Sequence, residues 1–83
     1  MENSESQIDA QRLNDIIQIF EEVLAVNPVE EDDHFFHLGG HSLLAMRVVA
    51  RVHKVFQIRV SVKVLFDHPT PLAFSERIRQ LSQ

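Results

Sequence analysis

Four runs of apolar residues at helical spacing constrain most strongly what this 83-residue chain can fold into. Prolines or glycines separate the first run from the second and the third from the fourth. In the first run the apolar side chains recur three and four residues apart, which is typical of one face of an amphipathic helix. The members of this face are Leu13, Ile16, Ile17, Phe20, Val23 and Leu24. Asp9 is the expected N-cap, and Asn27-Pro28 the expected end, because the residue before a proline is disfavoured in a helix.

A second helix is predicted from about Ser42 to Phe56. At about 100° per residue its core face comprises Leu44, Ala45, Val48, Val52, Val55 and Phe56. Ser61 is expected to cap a short third helix over residues 62–66, which His68-Pro69 ends.

Thr70 followed by Pro71 predicts the N-cap and first residue of a fourth helix. Its expected inward residues are Leu72, Phe74, Ile78 and Leu81. The alternation of residues 58–64 also fits a β-strand, but a single strand would lack a partner. The expected fold is therefore all-α, a small four-helix bundle of three longer helices and one short third helix.

Length and composition limit the other properties of the chain. An apolar fraction of 45% in 83 residues suits one folded domain, which we place at residues 9–83 after a flexible tail of residues 1–8. The absence of cysteine excludes disulfides, thiolate metal sites and a cysteine nucleophile. No run approaches the roughly 20 apolar residues of a membrane span, so a soluble, cytoplasmic protein is expected. We also expect it to be a monomer.

Charge is distributed unevenly between the two halves. Residues 1–33 hold ten acidic residues against Arg12, whereas residues 34–83 hold seven basic residues against Asp67 and Glu76. The acidic half can simply be solvated surface, or the basic half can be a docking surface.

One serine stands where a long loop meets the second helix. The loop from Pro28 to His41 has no helical period, yet it carries Phe35, Phe36 and Leu38, which should pack on the core. It ends in Gly39-Gly40-His41, directly before Ser42 and Leu43. By default such a serine is an N-cap, but two glycines give access to it and no acid completes a capping box. A phosphodiester on its oxygen would lie at a helix N-terminus, where negative charge is favoured.

Catalytic and metal-binding alternatives have less support. A serine nucleophile needs a base held by a third group and an oxyanion hole, and a small bundle offers little pocket for them. Three loop histidines could ligate a metal, but their spacing and the absence of cysteine argue against it, so neither a catalytic nor a metal site is expected. These histidines are His34, His37 and His41. Asp32 and Asp33 are expected to cap or solvate a turn.

A second surface is predicted beside Ser42 on the second helix. Leu43, Met46 and Ala50 should project away from the core, next to a basic stripe of Arg47, Arg51 and Lys54. Val62 and Leu65 of the short helix could extend this patch. Scattered exposed apolar residues are also normal, so the patch can equally be ordinary surface.

The motif of residues 38–44 and the later Phe66-Asp67-His68-Pro69-Thr70 resemble phosphopantetheine-dependent carrier proteins. The chain is most similar to the peptidyl carrier (thiolation) domains of nonribosomal peptide synthetases. The resemblance implies an acyl carrier protein-like fold and a non-catalytic protein. It also implies 4'-phosphopantetheine, derived from coenzyme A, on Ser42, flanked by Gly39, Gly40, His41 and Leu43. An amino acid or acyl intermediate would then be shuttled as a thioester on the thiol of this arm.

The implied partners are a phosphopantetheinyl transferase and adenylation, condensation, modifying or thioesterase domains. His41 and the basic second helix differ from fatty-acid carriers, which often have an Asp-Ser motif and an acidic helix; a polyketide or hybrid system stays open. Both a free-standing carrier and a domain of a larger enzyme fit the chain. The alternatives are an unmodified interaction module and a nucleic-acid binder, and the net charge of −4 weighs against the latter.

Overall fold

The computed structural model describes the backbone of residues 4–82 and the side chains of residues 9–82. Over this range the chain forms four α-helices and no strand: α1 (Ser4–Leu24), α2 (Ser42–Phe56), α3 (Val62–Asp67) and α4 (Pro71–Leu81). The predicted all-α class, the short third helix and the bounds of α2 are confirmed. The strand alternative for residues 58–64 is wrong, because the second half of that segment lies in α3.

The first helix differs from its prediction at both ends. α1 begins at Ser4, so the predicted N-cap at Asp9 is wrong; the Asp9 carboxylate instead accepts a hydrogen bond from Arg12 at 2.8 Å, one turn along the helix. Residues 1–3 of the predicted tail lie outside the described residues. From Ser4 onward the backbone of the predicted tail is helical. α1 ends at Leu24, before the predicted Asn27-Pro28 stop, because Ala25 takes a left-handed φ of 57°.

Three aromatic rings fill the centre of the bundle. Phe20 of α1 contacts Phe35 edge-on, with ring centroids 5.1 Å apart, and lies 6.1 Å from the ring of Phe74 in α4. α1 packs against both α2 and α4, and α3 closes the bundle between them. The buried apolar core comprises Ile16, Ile19, Phe20, Val29, Phe35, Ala45, Val48, Val52, Leu65, Phe74 and Ile78. Ile19 and Val29 were not among the predicted core residues.

Several predicted core positions are exposed instead. Val55, Leu72 and Leu81 each keep about half of their surface in water. In α4 the inward face is Pro71, Phe74, Ser75 and Ile78, which recur at helical spacing from the proline onward. Leu72 lies about 100° around the helix from Pro71, so the burial of the proline ring turns this leucine outward.

The N-caps of the two short C-terminal helices behave differently. Thr70 caps α4 as predicted, because its Oγ1 accepts a hydrogen bond from the Ala73 N–H at 3.2 Å, and Pro71 follows it. Ser61 is at the N-cap position of α3, but its side chain accepts no capping hydrogen bond. The predicted side-chain cap of α3 is therefore wrong.

The loop from Pro28 to His41 is fixed to the bundle, as predicted. Phe35 is fully buried, and Phe36 and Leu38 are half-buried. The Phe35 N–H donates to the Pro69 carbonyl at 2.8 Å, and the Leu72 N–H donates to the Glu31 carbonyl at 3.0 Å. This loop therefore has fixed contacts with the turn between α3 and α4.

Between residues 4 and 82, no helix has both the length and the apolar character needed to cross a membrane.

Candidate functional site

Ser42 is the first residue of α2, and its hydroxyl is not used by the fold. His41 is the N-cap, with extended backbone angles of φ −148° and ψ 178°, and its carbonyl accepts from the Ala45 N–H at 2.8 Å. Ser42 is exposed, and its hydroxyl has no hydrogen-bond partner among residues 9–82. The default interpretation of Ser42 as a capping serine is therefore wrong, and its oxygen is free for chemistry.

Two glycines shape the backbone that leads to this serine. Gly39 has a φ of 101°, in the region that side-chain-bearing residues rarely adopt. Gly40 packs against Phe35: a Cβ at Gly40 would lie 2.4 Å from the Phe35 ring and 2.7 Å from its carbonyl oxygen. The Gly40 N–H also donates to that oxygen at 3.1 Å. Because Phe35 is a core residue, this contact fixes where α2 begins.

The electrostatic environment of Ser42 favours an anion. The first N–H groups of a helix have no partners within the helix, and the dipole adds partial positive charge there. The first turn of α2 contains no acidic residue that would use these groups. A phosphate ester on the Ser42 oxygen therefore fits the site.

The loop histidines have local structural contacts. His34 and His37 stack with ring centroids 3.9 Å apart, and the His34 Nδ1 accepts a hydrogen bond from the Phe36 N–H at 3.2 Å. His41 is exposed at the N-cap of α2. In the described part of the chain, no three histidine, cysteine or acidic side chains are grouped so that they could bind a metal ion.

Of the adjacent loop aspartates Asp32 and Asp33, one has structural hydrogen bonds. The Asp33 carboxylate accepts a hydrogen bond from the Glu30 N–H at 2.8 Å, and the Asp33 N–H donates to the Glu30 carbonyl at 3.1 Å. Asp33 therefore closes a turn, as predicted, and Asp32 beside it is exposed.

Most of the predicted patch on α2 is exposed beside Ser42. Leu43 and Met46 are 61% and 56% exposed, and Ala50 and the basic stripe also face water. On the short helix, Val62 is half-buried. The prediction for Leu65 is wrong: Leu65 is fully buried in the core and cannot contact a partner.

Phe66 takes the outward place that was predicted for Leu65. It is 49% exposed, and its ring stacks on Phe36 with centroids 4.8 Å apart and the planes 2° from parallel. Sequence reasoning missed this residue because a helix of six residues has too few turns to orient its apolar face. The only signal was its place in the Phe66–Thr70 motif.

Comparison with known proteins defines the class of this site. Residues 14–78 match the family model described as a phosphopantetheine attachment site. The chain is 44% identical over 63 residues to gramicidin S synthase 2 of Brevibacillus brevis, and 54% identical over 52 residues to tyrocidine synthase 3 of Brevibacillus parabrevis. These matches cover 76% and 63% of this chain but only 1% of either synthase.

Solved structures agree with the sequence matches. The chain is similar to the peptidyl carrier protein in a complex with the phosphopantetheine transferase Sfp and coenzyme A, with 38% identity, a TM-score of 0.79 and coverage of 82% of this chain and 88% of that one. An acyl carrier protein of Streptomyces verticillus, BlmI, has the same fold, with a TM-score of 0.92 at 24% identity over 96% of both chains. The chain therefore belongs to the phosphopantetheine-binding carrier family, as a peptidyl carrier domain. The domain formed by residues 14–78 is a non-catalytic carrier domain.

Proposed function

We propose that Ser42 is the residue that receives 4'-phosphopantetheine, and that the modified domain carries amino acid or acyl intermediates of nonribosomal peptide synthesis. The observation that supports this most directly is the Ser42 hydroxyl: it is exposed, free of hydrogen bonds within residues 9–82, and at the N-terminus of a helix. When bound, the arm supplies a thiol that holds the cargo as a thioester.

The residues around Ser42 have distinct roles in this proposal. Gly39 and Gly40 let the backbone reach α2 beside Phe35 without a side chain in the way. The free N–H groups of the first turn stabilise the phosphate charge. His41 is exposed next to Ser42, so its ring adjoins the proposed attachment site.

The partners follow from the same role. A phosphopantetheinyl transferase modifies Ser42, and adenylation, condensation, modifying or thioesterase domains then act on the cargo. We propose that these domains contact the exposed patch of Leu43, Met46, Arg47, Ala50, Arg51 and Val62. Phe66 replaces Leu65 in this patch, because Phe66 is exposed and Leu65 is not. The carrier domain in this proposal includes α1 from Ser4 rather than from Asp9.

The attachment is tested by intact-mass measurement. The purified protein is incubated with coenzyme A and a broad-specificity phosphopantetheinyl transferase. We expect the wild type to gain one phosphopantetheinyl group and Ser42→Ala to gain none. Ser61→Ala is the matched control, because Ser61 is also exposed, precedes a helix and has no side-chain capping bond.

Modification of Ser42→Ala, or a wild type that stays unmodified while a known carrier is modified in the same reaction, would overturn the assignment of Ser42. Loss of modification in Ser61→Ala would show that the serine had been misassigned.

A further inference from the structure

Ala50 separates two surface grooves on the outer side of α2. One groove, of about 290 Å³, lies towards α1; Val23 and Ala50 line its apolar part, and the charged residues Glu22, Arg47, Arg51 and Lys54 line the rest. The other, of about 380 Å³, lies towards α3 and is lined by Met46, Ala50, Arg59 and Val62 among others. Because the side chain of Ala50 is a single methyl group, a partner can approach the helix backbone there and reach both grooves.

Three cations surround these grooves without an acidic partner. Arg47, Lys54 and Arg59 are exposed and form no ion pair within residues 9–82. The fold therefore does not use their charge.

The neighbouring cations are paired. Arg51 contacts Glu22 of α1 at 2.6 Å, and Lys63 contacts Asp67 at 2.8 Å. The hydrogen bond from Lys63 lowers the pKa of the Asp67 carboxyl below its ordinary value. Beside the grooves, the cations Arg51 and Lys63 are thus neutralised by acids of the same chain, whereas Arg47, Lys54 and Arg59 are not. Among residues 9–82, Arg77 of α4 is a further cation without an acidic partner, and it lies outside both grooves.

The unpaired cations on α2 share a face with its exposed apolar residues. Leu43, Arg47, Ala50 and Lys54 follow one another at spacings of four, three and four residues, which places them along one line of the helix. Arg59 and Met46 both line the second groove, which adjoins this line at Ala50. On this face apolar residues therefore alternate with cations along α2, and Arg59 adds a third cation at the second groove.

We infer that this face binds a protein segment in which apolar side chains, placed in the two grooves, are flanked by carboxylates that pair with Arg47, Lys54 and Arg59. The inference rests on the proposed function and adds the chemistry of the partner. Carboxylates are favoured because opposite charges across an interface steer association and fix its register. The apolar residues in the groove linings, such as Val23, Met46 and Val62, favour a protein over a polyanion such as nucleic acid, which would need cations but no apolar contacts.

The inference is tested with the full chain, labelled with ¹⁵N, and two synthetic amphipathic helical peptides. Both peptides present the same leucines; one flanks them with glutamates and the other with lysines. We expect the glutamate peptide to shift amide resonances of residues 43–54 and 59–62, with affinity that falls as salt rises. The lysine peptide should leave these resonances unchanged.

Variants assign the effect to the named residues. Arg47→Glu should weaken binding of the glutamate peptide by about fivefold and allow the lysine peptide to bind. Arg77→Glu, on α4, is the matched control and should change neither, because Arg77 is outside both groove linings and, within residues 9–82, its side chain bonds to Gln80 and not to an acid. Ala50→Trp should weaken binding of the glutamate peptide by more than about tenfold, because the larger side chain would obstruct both grooves. Circular dichroism should show an intact helical fold, since Ala50 is exposed.

Equal binding of the two peptides, no binding of either, or shifts on α4 instead of α2 would overturn the inference. Tighter binding of DNA or of phosphatidylserine vesicles than of the glutamate peptide would also overturn it. If the amide resonances of the same residues shifted when the protein was concentrated without peptide, the face would bind a second copy of the chain. That result would also overturn the inference. None of these outcomes affects modification of Ser42, so failure here is distinct from failure of the proposed function.

Discussion

At the scale of single residues, Gly39 and Gly40 are both required as glycine, but for different physical reasons. At Gly39 an added Cβ would meet open space, so the constraint there is the backbone φ of 101°. Gly40 has no such backbone constraint and is constrained by contact with Phe35. Substitutions that respond differently to backbone angle and to side-chain size should therefore separate the two positions.

We predict that the order of alanine and asparagine substitutions reverses between these glycines. At Gly39, alanine should cost about 1–2 kcal/mol of unfolding free energy and asparagine less, because asparagine tolerates a positive φ. At Gly40, alanine should cost about 1–3 kcal/mol and asparagine more, because the larger side chain collides further with Phe35. Urea denaturation of the four variants measures this order, and the same order at both positions would contradict it.

Individual residues also show what the sequence could predict at this scale. The exposure of Leu43 and Met46 followed from helical spacing, because α2 is long enough for the spacing to identify a face. The accessibility of Ser42 followed instead from the two glycines before it. The opposite orientations of Leu65 and Phe66 could not be predicted, because both are apolar neighbours in one six-residue helix. Only the fold shows which of the two meets the core.

At the scale of helices, the two N-caps before α3 and α4 form a natural pair for comparison. Thr70 caps α4 through its side chain, because its Oγ1 accepts from the Ala73 N–H. Ser61 precedes α3 in the same extended conformation but accepts no such bond. A sequence pattern alone treats both as caps, because hydroxyl residues are favoured at that position in either case.

We predict that Thr70→Ala lowers the unfolding free energy by about 1 kcal/mol, because it leaves an N–H of α4 without its partner. Ser61→Ala should change it by less than about 0.5 kcal/mol. Thermal or urea denaturation measures both. A loss for Ser61→Ala as large as that for Thr70→Ala would show that the serine caps α3 in solution.

The helix ends were predicted with unequal success. α2 begins and ends where expected, because glycines precede it and its apolar face ends at Phe56. α1 extends beyond its expected start because residues 4–8 contain no proline or glycine to stop it, so one acidic residue at position 9 was too weak a signal. Burial of Pro71 could not be read from spacing, because the proline was expected only to start α4.

At the scale of the whole molecule, the stack of Phe36 on Phe66 joins the long loop to α3. The two residues are 30 positions apart in the chain, and their rings are nearly parallel on the surface. Because Phe36 precedes Ser42 in the same loop, this contact helps to hold the serine and the short helix on one side of the bundle.

We predict that Phe36→Ala and Phe66→Ala are not additive. The double variant should lose about 0.5–1.5 kcal/mol less than the sum of the single losses, because the stack is already absent in either single variant. Leu81→Ala combined with Phe66→Ala is the control and should be additive, because Leu81 is at the far end of α4 and takes no part in the stack. Additivity of the phenylalanine pair would mean that the stack contributes nothing to stability.

The bonds from Phe35 to Pro69 and from Leu72 to Glu31 join main-chain atoms on both sides. A main-chain bond does not depend on the side chain that each residue carries, and only proline at the donor position removes it. The outer residues of the loop can therefore change during evolution while Ser42 keeps its position relative to α3. Carriers of this kind can therefore change their surface residues to bind new partners while the backbone around the attachment site keeps its structure.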